Sequence, residues 1–381
     1  MTLLDLSNQF QAWYINDAIP LWIDQAYDQD HGGFYEALNF DGQPITGQPK
    51  RVRVQSRQIY TFSQIHSLGW NEKAGAIAKK GFEDFLAMAC SDEGTRGCAH
   101  TLHHDGRISD DRRDLYDQAF LLLACSSMWA TFKDERAVKL AEATLAFLDR
   151  ELAIYKEGWA ESDHHEMPRR QNPHMHMFEA SMALNHGAPD NRFAAYPQKL
   201  FNLFHLFYDN HENVIREYFD EMLIADETKP VEPGHMVEWV WLLKKYEHFT
   251  DAKTNHFRDH LFQKAQEIGA DKDFHGLLAD SVMLGTDKFT STKRLWPQTE
   301  YLKASLILAE EGNQSAMQTA ENIIKSLFTT YLDTSVNGLW VDRYSATGVA
   351  NAPNVPASIL YHLHEAAVQC SLYTKAMEKE S

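Results

Sequence analysis

The chain has 381 residues, a formal charge of −18 at pH 7 and 24% charged residues. This acidic balance argues against a nucleic-acid partner, because nucleic-acid binding depends on Lys and Arg side chains that neutralise phosphates. The first ten residues lack a basic segment followed by an apolar one, and no apolar run approaches the about eighteen residues of a membrane span. The cytoplasm is therefore the expected location. No Pro- or Ser-rich linker interrupts the chain, so we expect one domain over residues 1–381.

Two kinds of helical segment alternate along the chain. The first kind is amphipathic, with apolar residues three and four positions apart, as in KAGAIAKKGFEDFLAMA from Lys73 and ERAVKLAEATLAFLDRELA from Glu135. Long Gly-containing stretches such as HGGFYEALNFDGQP and NGLWVDRYSATG separate these helices from the second kind. Short turns and long loops therefore alternate between successive helices.

The second kind of helix opens with polar or aromatic residues and recurs about every sixty residues. The six stretches are VQSRQIYTFS, DLYDQAFLLLA, NPHMHMFEASMAL, EPGHMVEWVWLL, RLWPQTEYLKASL and PASILYHLHEAAV. Steps of 59, 60, 59, 61 and 66 residues separate their marker residues, which are Arg57, Tyr116, His176, His235, Trp296 and His362. A period of this length indicates an array of helix pairs.

The repeat predicts an all-α fold, an (α/α)6 barrel of six helix pairs whose long loops wall a pocket at one end. The alternative is an open solenoid of helix pairs, whose usual repeat is shorter, roughly 34 to 47 residues. A closed barrel also explains why the second helices begin with His, Arg, Trp and Glu, because these positions then converge on one axis. We expect each repeat to deliver its chemistry from the same structural position.

Two histidines at this position form a candidate proton-transfer pair. His235 in GHMVEW and His362 in LYHLHE lie about two repeats apart, and imidazole titrates near neutral pH. Glu238 follows His235 by three residues on the same helical face, so we expect its carboxylate to orient that imidazole or to raise its pKa.

A metal site is the alternative use of these residues. His176 and Glu179 repeat the His-x-x-Glu spacing, and His164 and His165 add further nitrogen ligands. Adjacent histidines in a loop rarely both bind one metal ion, and the chain has no HExxH or CxxC motif. We therefore predict no metal and no other cofactor. Asn172 lies four residues before His176, and these two residues look more like groups that bind hydroxyls.

Arg57 opens the first of the six stretches. A buried arginine at the mouth of a barrel meets either a protein carboxylate or a negative charge on the ligand, and the developing charge of an enediolate is one such target. A structural ion pair is equally compatible with its position. Arg51 and Arg53 belong to a basic run, which we expect to be solvated.

Several aromatic residues occupy the same level of the barrel as the histidines. Flat rings beside Glu, Asn and His side chains are typical of sugar sites, where the rings contact C–H faces and the polar groups bind hydroxyls. Tyr116 and Trp296 fit this role, with Glu300 one turn after Trp296. For Trp239 and Trp241 we expect core packing.

Together the stretches SRQIYTFS, NPHMHMFEA, EPGHMVEW and RLWPQTEYLKA, with the late Tyr361-His362, resemble the N-acylglucosamine 2-epimerase superfamily, and most closely its mannose isomerase branch. The resemblance covers about residues 30 to 365. It implies an α/α six-barrel and interconversion of aldoses and ketoses, or inversion at C2, through an enediol or enediolate without an obligatory metal.

The resemblance also implies a division of roles among the nine candidate residues. His235 and His362 look like the acid–base pair, with His362 as the base at C2 and Arg57 on the sugar oxygens. The residues that hold the sugar by hydrogen bonds and packing would be Tyr116, Asn172, His176, Glu238, Trp296 and Glu300.

Two departures from the superfamily narrow the substrate. Many oligosaccharide 2-epimerases have paired tryptophans where this chain has Leu295-Trp296, and the chain lacks a Gly-rich phosphate loop or basic pocket motif. A small free monosaccharide is therefore the expected partner, with mannose giving fructose as first choice and lyxose as second. A 2-epimerase and a carbohydrate-binding or glycosidase barrel that uses Glu238 and Glu300 stay open. A homodimer is compatible with the sequence.

Overall fold

The computed structural model describes residues 1–90, 94–154, 158–187, 191–285 and 291–380. Helix α1 runs into α2 through a π-helical turn over Tyr14–Ala18, so the two form one continuous rod. The bounds of the helices are α1 Leu3–Trp13, α2 Ile19–Gln25, α3 Val52–Ser67, α4 Lys73–Ala89, α5 Leu115–Phe132, α6 Glu135–Phe147, α7 Gln171–Gly187, α8 Ala195–Phe207, α9 Pro233–Glu247, α10 Asn255–Gly269, α11 Leu295–Glu310, α12 Gln314–Thr329 and α13 Ile359–Glu380.

The helices form two concentric rings. The inner ring consists of α3, α5, α7, α9, α11 and α13, and each of these contacts both inner neighbours, with α13 closing onto α3. Each inner helix also packs on an outer partner, in the pairs α3–α4, α5–α6, α7–α8, α9–α10, α11–α12 and α13–α1. The predicted closed α/α barrel is therefore confirmed, and the first and last helices complete its sixth pair.

Burial follows the two rings. The inner helix α11 is buried without interruption from Leu295 to Ala309, because it has neighbours on all sides. The outer helix α12 instead buries one stripe that includes Ala316, Ala320 and Ile324, as expected for a helix with one solvent face. Trp239 and Trp241 belong to the core, as predicted.

Short antiparallel pairings tie the loops together at one end of the barrel. The two-residue strands or single bridges just before the inner helices each pair with the following long loop. The pairings are 50–51 with 101–102, 114 with 162, 169–170 with 218–219, 231 with 282, 293–294 with 343–344, and 355–356 with 37–38. The last pairing joins the two ends of the repeat, so within the described residues the ring of loops is closed. This ring fixes the starts of the inner helices at one level.

The remaining short strands are local to single loops. They are Ile108–Asp110, Tyr208–Asp209, Val214–Ile215, Ala270–Asp271 and Leu277–Leu278. In the ring itself, three inner helices are each preceded by an arginine. A carboxylate accepts hydrogen bonds from the backbone N–H and from the guanidinium Nε of each arginine, at 2.6 to 3.1 Å. These pairs are Arg51 with Glu36, Arg170 with Glu161 and Arg294 with Asp280.

The six marker residues do not share one position in their helices, so that expectation was wrong. Arg57 and His176 are the sixth residues of α3 and α7, whereas Tyr116 and Trp296 are the second residues of α5 and α11. At a rise of about 1.5 Å per residue this difference spreads the side chains over roughly 6 Å of depth. The marker residues of the repeat therefore line both the rim and the deeper wall of a pocket.

No described helix is long and apolar enough to cross a membrane. All four cysteines are free, and Cys98, Cys125 and Cys370 are buried.

Candidate active site

A cavity of about 360 Å³ opens at the loop end of the barrel. Its size is near the lower end of small-molecule sites, which span about 300–1,000 Å³. Eight of the nine residues predicted from the sequence line this cavity: Arg57, Tyr116, Asn172, His176, His235, Glu238, Trp296 and His362. The residues predicted from separate helices therefore lie around one cavity, and their roles stay predictions.

Glu300 is the exception. Its side chain is completely buried and lies behind His362, with Oε1 2.8 Å from the imidazole Nδ1. Trp296 lies at the rim, and Glu300 follows it one turn deeper on α11. Glu300 therefore contacts a catalytic candidate and not the cavity, which corrects its predicted role as a sugar ligand.

His235 is held by a carboxylate that the sequence did not reveal. Its Nδ1 lies 3.0 Å from Glu217 Oε2 and 3.7 Å from Glu232 Oε2. The expected orienting partner, Glu238, instead lies 3.8 Å from the Nε2 of His176. Burial disfavours the imidazolium, but Glu217 and Glu232 together outweigh burial and raise the pKa of His235 to about 9. His235 is therefore protonated at neutral pH.

His362 has the opposite charge state. Burial, followed by the positive charges of Arg57 and Lys303, lowers its pKa well below 6.5. The neutral ring places its proton on Nδ1, where Glu300 accepts it, and this leaves a lone pair on Nε2. His362 is therefore prepared to act as a base at neutral pH.

Trp296 brings the two histidines together. The indole ring lies 5.1 Å from the imidazole of His235 and 5.7 Å from that of His362, measured between ring centroids. A proton donor and a proton acceptor thus contact one aromatic side chain in the cavity wall.

Arg57 supplies an uncompensated positive charge. Its Nη2 donates to the Tyr116 hydroxyl at 3.0 Å, and its guanidinium carbon lies 4.1 Å from the ring centroid of Phe120. No carboxylate among the described residues pairs with Arg57, and its Nε is buried without a partner there. This arrangement favours the ligand-binding role over the structural ion pair.

A further set of polar side chains at the cavity, which includes His176, Glu238 and Asn172, is suited to binding hydroxyls. His176 Nδ1 lies 3.2 Å from Glu179, which also accepts from the Tyr361 hydroxyl, and burial lowers the pKa of His176. Burial and then the charge of Glu300 raise the pKa of Glu238 well above 4.5, which favours the protonated form of this carboxyl group. Asn172 contributes a buried Oδ1 without a protein partner among the described residues.

The rim of the cavity carries three more arginines. Arg51 and Arg53, expected in solvent, line the cavity together with Arg294. Each is paired: Arg51 with Glu36, Arg53 with Asp117 at 3.4 Å, and Arg294 with Asp280 at 3.1 Å. The expectation of solvated arginines was wrong because the pairing of 50–51 with 101–102 holds this basic segment at the mouth of the cavity.

Two groups of possible metal ligands include residues that line the cavity. In the first, Glu217 and Glu232 contact the Nδ1 of His235, as described above. In the second, oxygen and nitrogen atoms of Glu238, Glu300 and His362 lie within 4.8 Å of one another. The Nζ of Lys303, however, lies 2.6 Å from Glu300 Oε2, where its positive charge opposes a second cation. These donors therefore fit an ion pair better than a metal, and the absence of a metal requirement stays a prediction. His164 and His165 are exposed on a loop.

The fold and the site define an α/α barrel with a small polar cavity, in which two buried histidines have pKa values shifted in opposite directions. Residues 33–366 match the sequence model of the N-acylglucosamine 2-epimerase (GlcNAc 2-epimerase) family, and the chain belongs to that family.

Among curated proteins, the chain is similar to a mannose-6-phosphate isomerase of Rhizobium meliloti, with 30% identity over 96% of each chain. Among solved structures, it is similar to a D-mannose isomerase, with a TM-score of 0.84, 20% identity and coverage of 96% of this chain and 97% of that one. A cellobiose 2-epimerase from Spirochaeta thermophila DSM 6192 has a TM-score of 0.86 at 20% identity, with coverage of 99% and 98%. These structures confirm the fold.

Proposed function

We propose that this protein is an aldose–ketose isomerase that interconverts free D-mannose and D-fructose. The observation that carries the proposal is the opposite protonation of two histidines that contact one indole, a proton acceptor at His362 and a proton donor at His235. An enediol reaction needs both functions at the same pH. The similarity to a curated protein named mannose-6-phosphate isomerase supports this reaction class.

The proton at C2 moves first. In the open-chain aldose, Nε2 of His362 removes this proton, and the C2 electrons form a C1–C2 double bond as the O1 carbonyl accepts negative charge. The same nitrogen then returns the proton to C1 of the enediol. His235 donates to the sugar oxygens and takes the proton back as the O2 carbonyl forms, so the enzyme ends in its starting state.

Arg57 stabilises the intermediate. An enediolate carries a full negative charge that the neutral sugar lacks, and a buried guanidinium without a protein carboxylate attracts that charge selectively. The guanidinium is held in place by the hydrogen bond that its Nη2 donates to the Tyr116 hydroxyl at 3.0 Å. Asn172, His176 and Glu238 bind the remaining hydroxyls, while Trp296 packs on the C–H face.

An uncharged substrate is favoured by the pairing of the rim arginines. Arg51, Arg53 and Arg294 each have a carboxylate partner, so none offers a free charge to a phosphate group. The described residues at the rim also include Glu232 and Asp342, which repel a dianion. The experiment below nevertheless includes mannose 6-phosphate as a substrate, because the similar Rhizobium meliloti protein is named a mannose-6-phosphate isomerase.

Product analysis tests the proposal. Purified protein is incubated in parallel with mannose, lyxose, glucose and mannose 6-phosphate, and products are separated by chromatography. We expect fructose from mannose and a ketopentose from lyxose, with at least tenfold slower conversion of the phosphate ester. Glucose as the main product from mannose would identify a 2-epimerase, and turnover of the phosphate ester alone would overturn the free-sugar assignment.

A further inference from the structure

Lys303 is a buried charge that the mechanism above does not use. It lies on α11 one turn after Glu300, and its side chain is completely buried. Its Nζ lies 2.6 Å from Glu300 Oε2 and 3.4 Å from the ring centroid of Trp241. Burial lowers the pKa of Lys303, but the charges of Glu300 and Glu238 outweigh burial and raise it. Lys303 is therefore an ammonium ion.

The two catalytic histidines differ in whether a lysine lies beside their carboxylate partner. Each imidazole Nδ1 meets a buried carboxylate, Glu217 at 3.0 Å for His235 and Glu300 at 2.8 Å for His362. Neither second carboxylate oxygen has a hydrogen-bond partner among the described residues, but that of Glu300 lies 2.6 Å from the Nζ of Lys303. The charge of Glu300 is therefore balanced by a neighbouring ammonium, whereas among the described residues Glu217 forms an ion pair only with His235.

We propose that Lys303 is a positioning residue that neutralises Glu300 and thereby keeps His362 an unprotonated base with its proton on Nδ1. This inference rests on the proposed role of His362 as the base. It explains how one barrel holds an acidic and a basic histidine against the same indole.

Groups from all the packed helices act on His362. Arg57 approaches from α3, His176 and Glu179 from α7, Glu238 from α9, and Glu300 with Lys303 from α11. Of these charges, Arg57 and then Lys303 lower the pKa of His362 most after burial itself, and Glu179 opposes them. Lys303 is the cation that also contacts the carboxylate partner of His362.

Removal of the ammonium adds a proton to the pair. Burial raises the pKa of Glu300, and Lys303 opposes that rise. Without Lys303, the Glu300–His362 pair takes up a proton at a higher pH. If His362 holds it, the base is gone. If Glu300 holds it, Glu300 donates to Nδ1 and the ring proton moves to Nε2, which again removes the base.

The test compares Lys303→Met, Lys303→Gln and Lys303→Arg with the double variant Glu300→Gln/Lys303→Met. The logarithm of kcat/KM for mannose is measured against pH. In Lys303→Met and Lys303→Gln we expect the acidic limb to move up by at least one pH unit, since a nearby charge shifts a pKa by about 1–3 units. Lys303→Arg and the double variant, in which both charges are absent, should return the limb to within about half a unit of wild type.

A readout without substrate separates this inference from the proposed function. The imidazole signals of His362, assigned by comparison with His362→Asn, are titrated by NMR in the free protein. We expect the same upward shift in Lys303→Gln, whatever sugar the enzyme uses. A uniform fall in kcat/KM with an unmoved acidic limb and an unmoved His362 titration would show a purely structural lysine and overturn the proposal. If Lys303→Met does not fold, Lys303→Gln decides by the same criteria.

Discussion

Glu217 lies 3.0 Å from the Nδ1 of His235, although 18 residues separate the two in the chain. The amide of Gln171 donates to the same carboxylate oxygen at 3.0 Å and fixes its position from the start of α7. The contact places an uncompensated negative charge against one histidine of the pair. This charge favours the imidazolium of His235, the form that the proposed role as the acid requires.

Loss of this charge should move the alkaline limb of the pH profile. His235 must be protonated, so activity should fall as pH rises through its pKa of about 9. In Glu217→Gln the pKa of His235 falls, and we expect the limb at a pH about 1–3 units lower. The limb is measured as kcat/KM for mannose against pH. Glu212→Gln, on the same loop but only partly buried and outside the cavity lining, is the matched control, and an unmoved limb in Glu217→Gln would contradict the assignment.

Replacement of either histidine should remove turnover. We expect His235→Asn and His362→Asn each to lower kcat by about 10²–10⁴-fold, the usual contribution of general acid–base catalysis, with little change in melting temperature. His364→Phe is the matched control, since His364 is buried against the rings of Tyr14 and Trp70 away from the cavity. Near-wild-type kcat in either asparagine variant would refute the pair.

Gly234 sets the position of Trp296. A Cβ at Gly234 would lie 2.7 Å from the indole Cη2 and 2.9 Å from Pro297 Cβ. Gly234→Ala should therefore displace the ring that contacts both histidines and lower kcat/KM by about ten- to a hundredfold. Gly187→Ala, whose new Cβ meets its nearest atom at 3.6 Å, should leave kcat/KM unchanged. Equal activity of the two variants would show that the Trp296 position is not critical.

Chelation should not reduce the rate. A metal ion bound to Glu300 would lie close to the ammonium of Lys303, whose positive charge repels a second cation. We expect unchanged kcat after prolonged dialysis against EDTA and no gain on addition of Mn²⁺, Zn²⁺ or Mg²⁺. Loss of activity on dialysis with recovery on addition of one ion would establish a metal requirement.

The sequence predicted the barrel and most of the cavity because both depend on helix positions. A sixty-residue period marks the inner helices, and their first two turns can only converge on the axis once the ring is closed. Arg57 and His176 lie deeper than Trp296, but all three remain within reach of one pocket. Pattern reasoning on helices was sufficient for these residues.

The partners of these residues could not be predicted in the same way. Glu217 reaches His235 from a long loop whose place is set by the pairing of 169–170 with 218–219, and loops carry no periodic signal. Arg51 and Arg294 reach the rim through similar pairings. Lys303 was within reach of pattern reasoning, since it follows Glu300 by three residues on α11, but three-residue spacing alone does not tell a buried ion pair from a surface one.

The most direct test follows the C2 proton with mannose in heavy water. Transfer from C2 to C1 by the single base His362 predicts fructose with deuterium at C1 in less than full amount, because part of the original proton is returned before it exchanges with solvent. Both histidine variants should lose this labelling along with turnover. Glucose labelled fully at C2 as the main product would contradict the account, because it requires protonation of C2 from the opposite face by a second group.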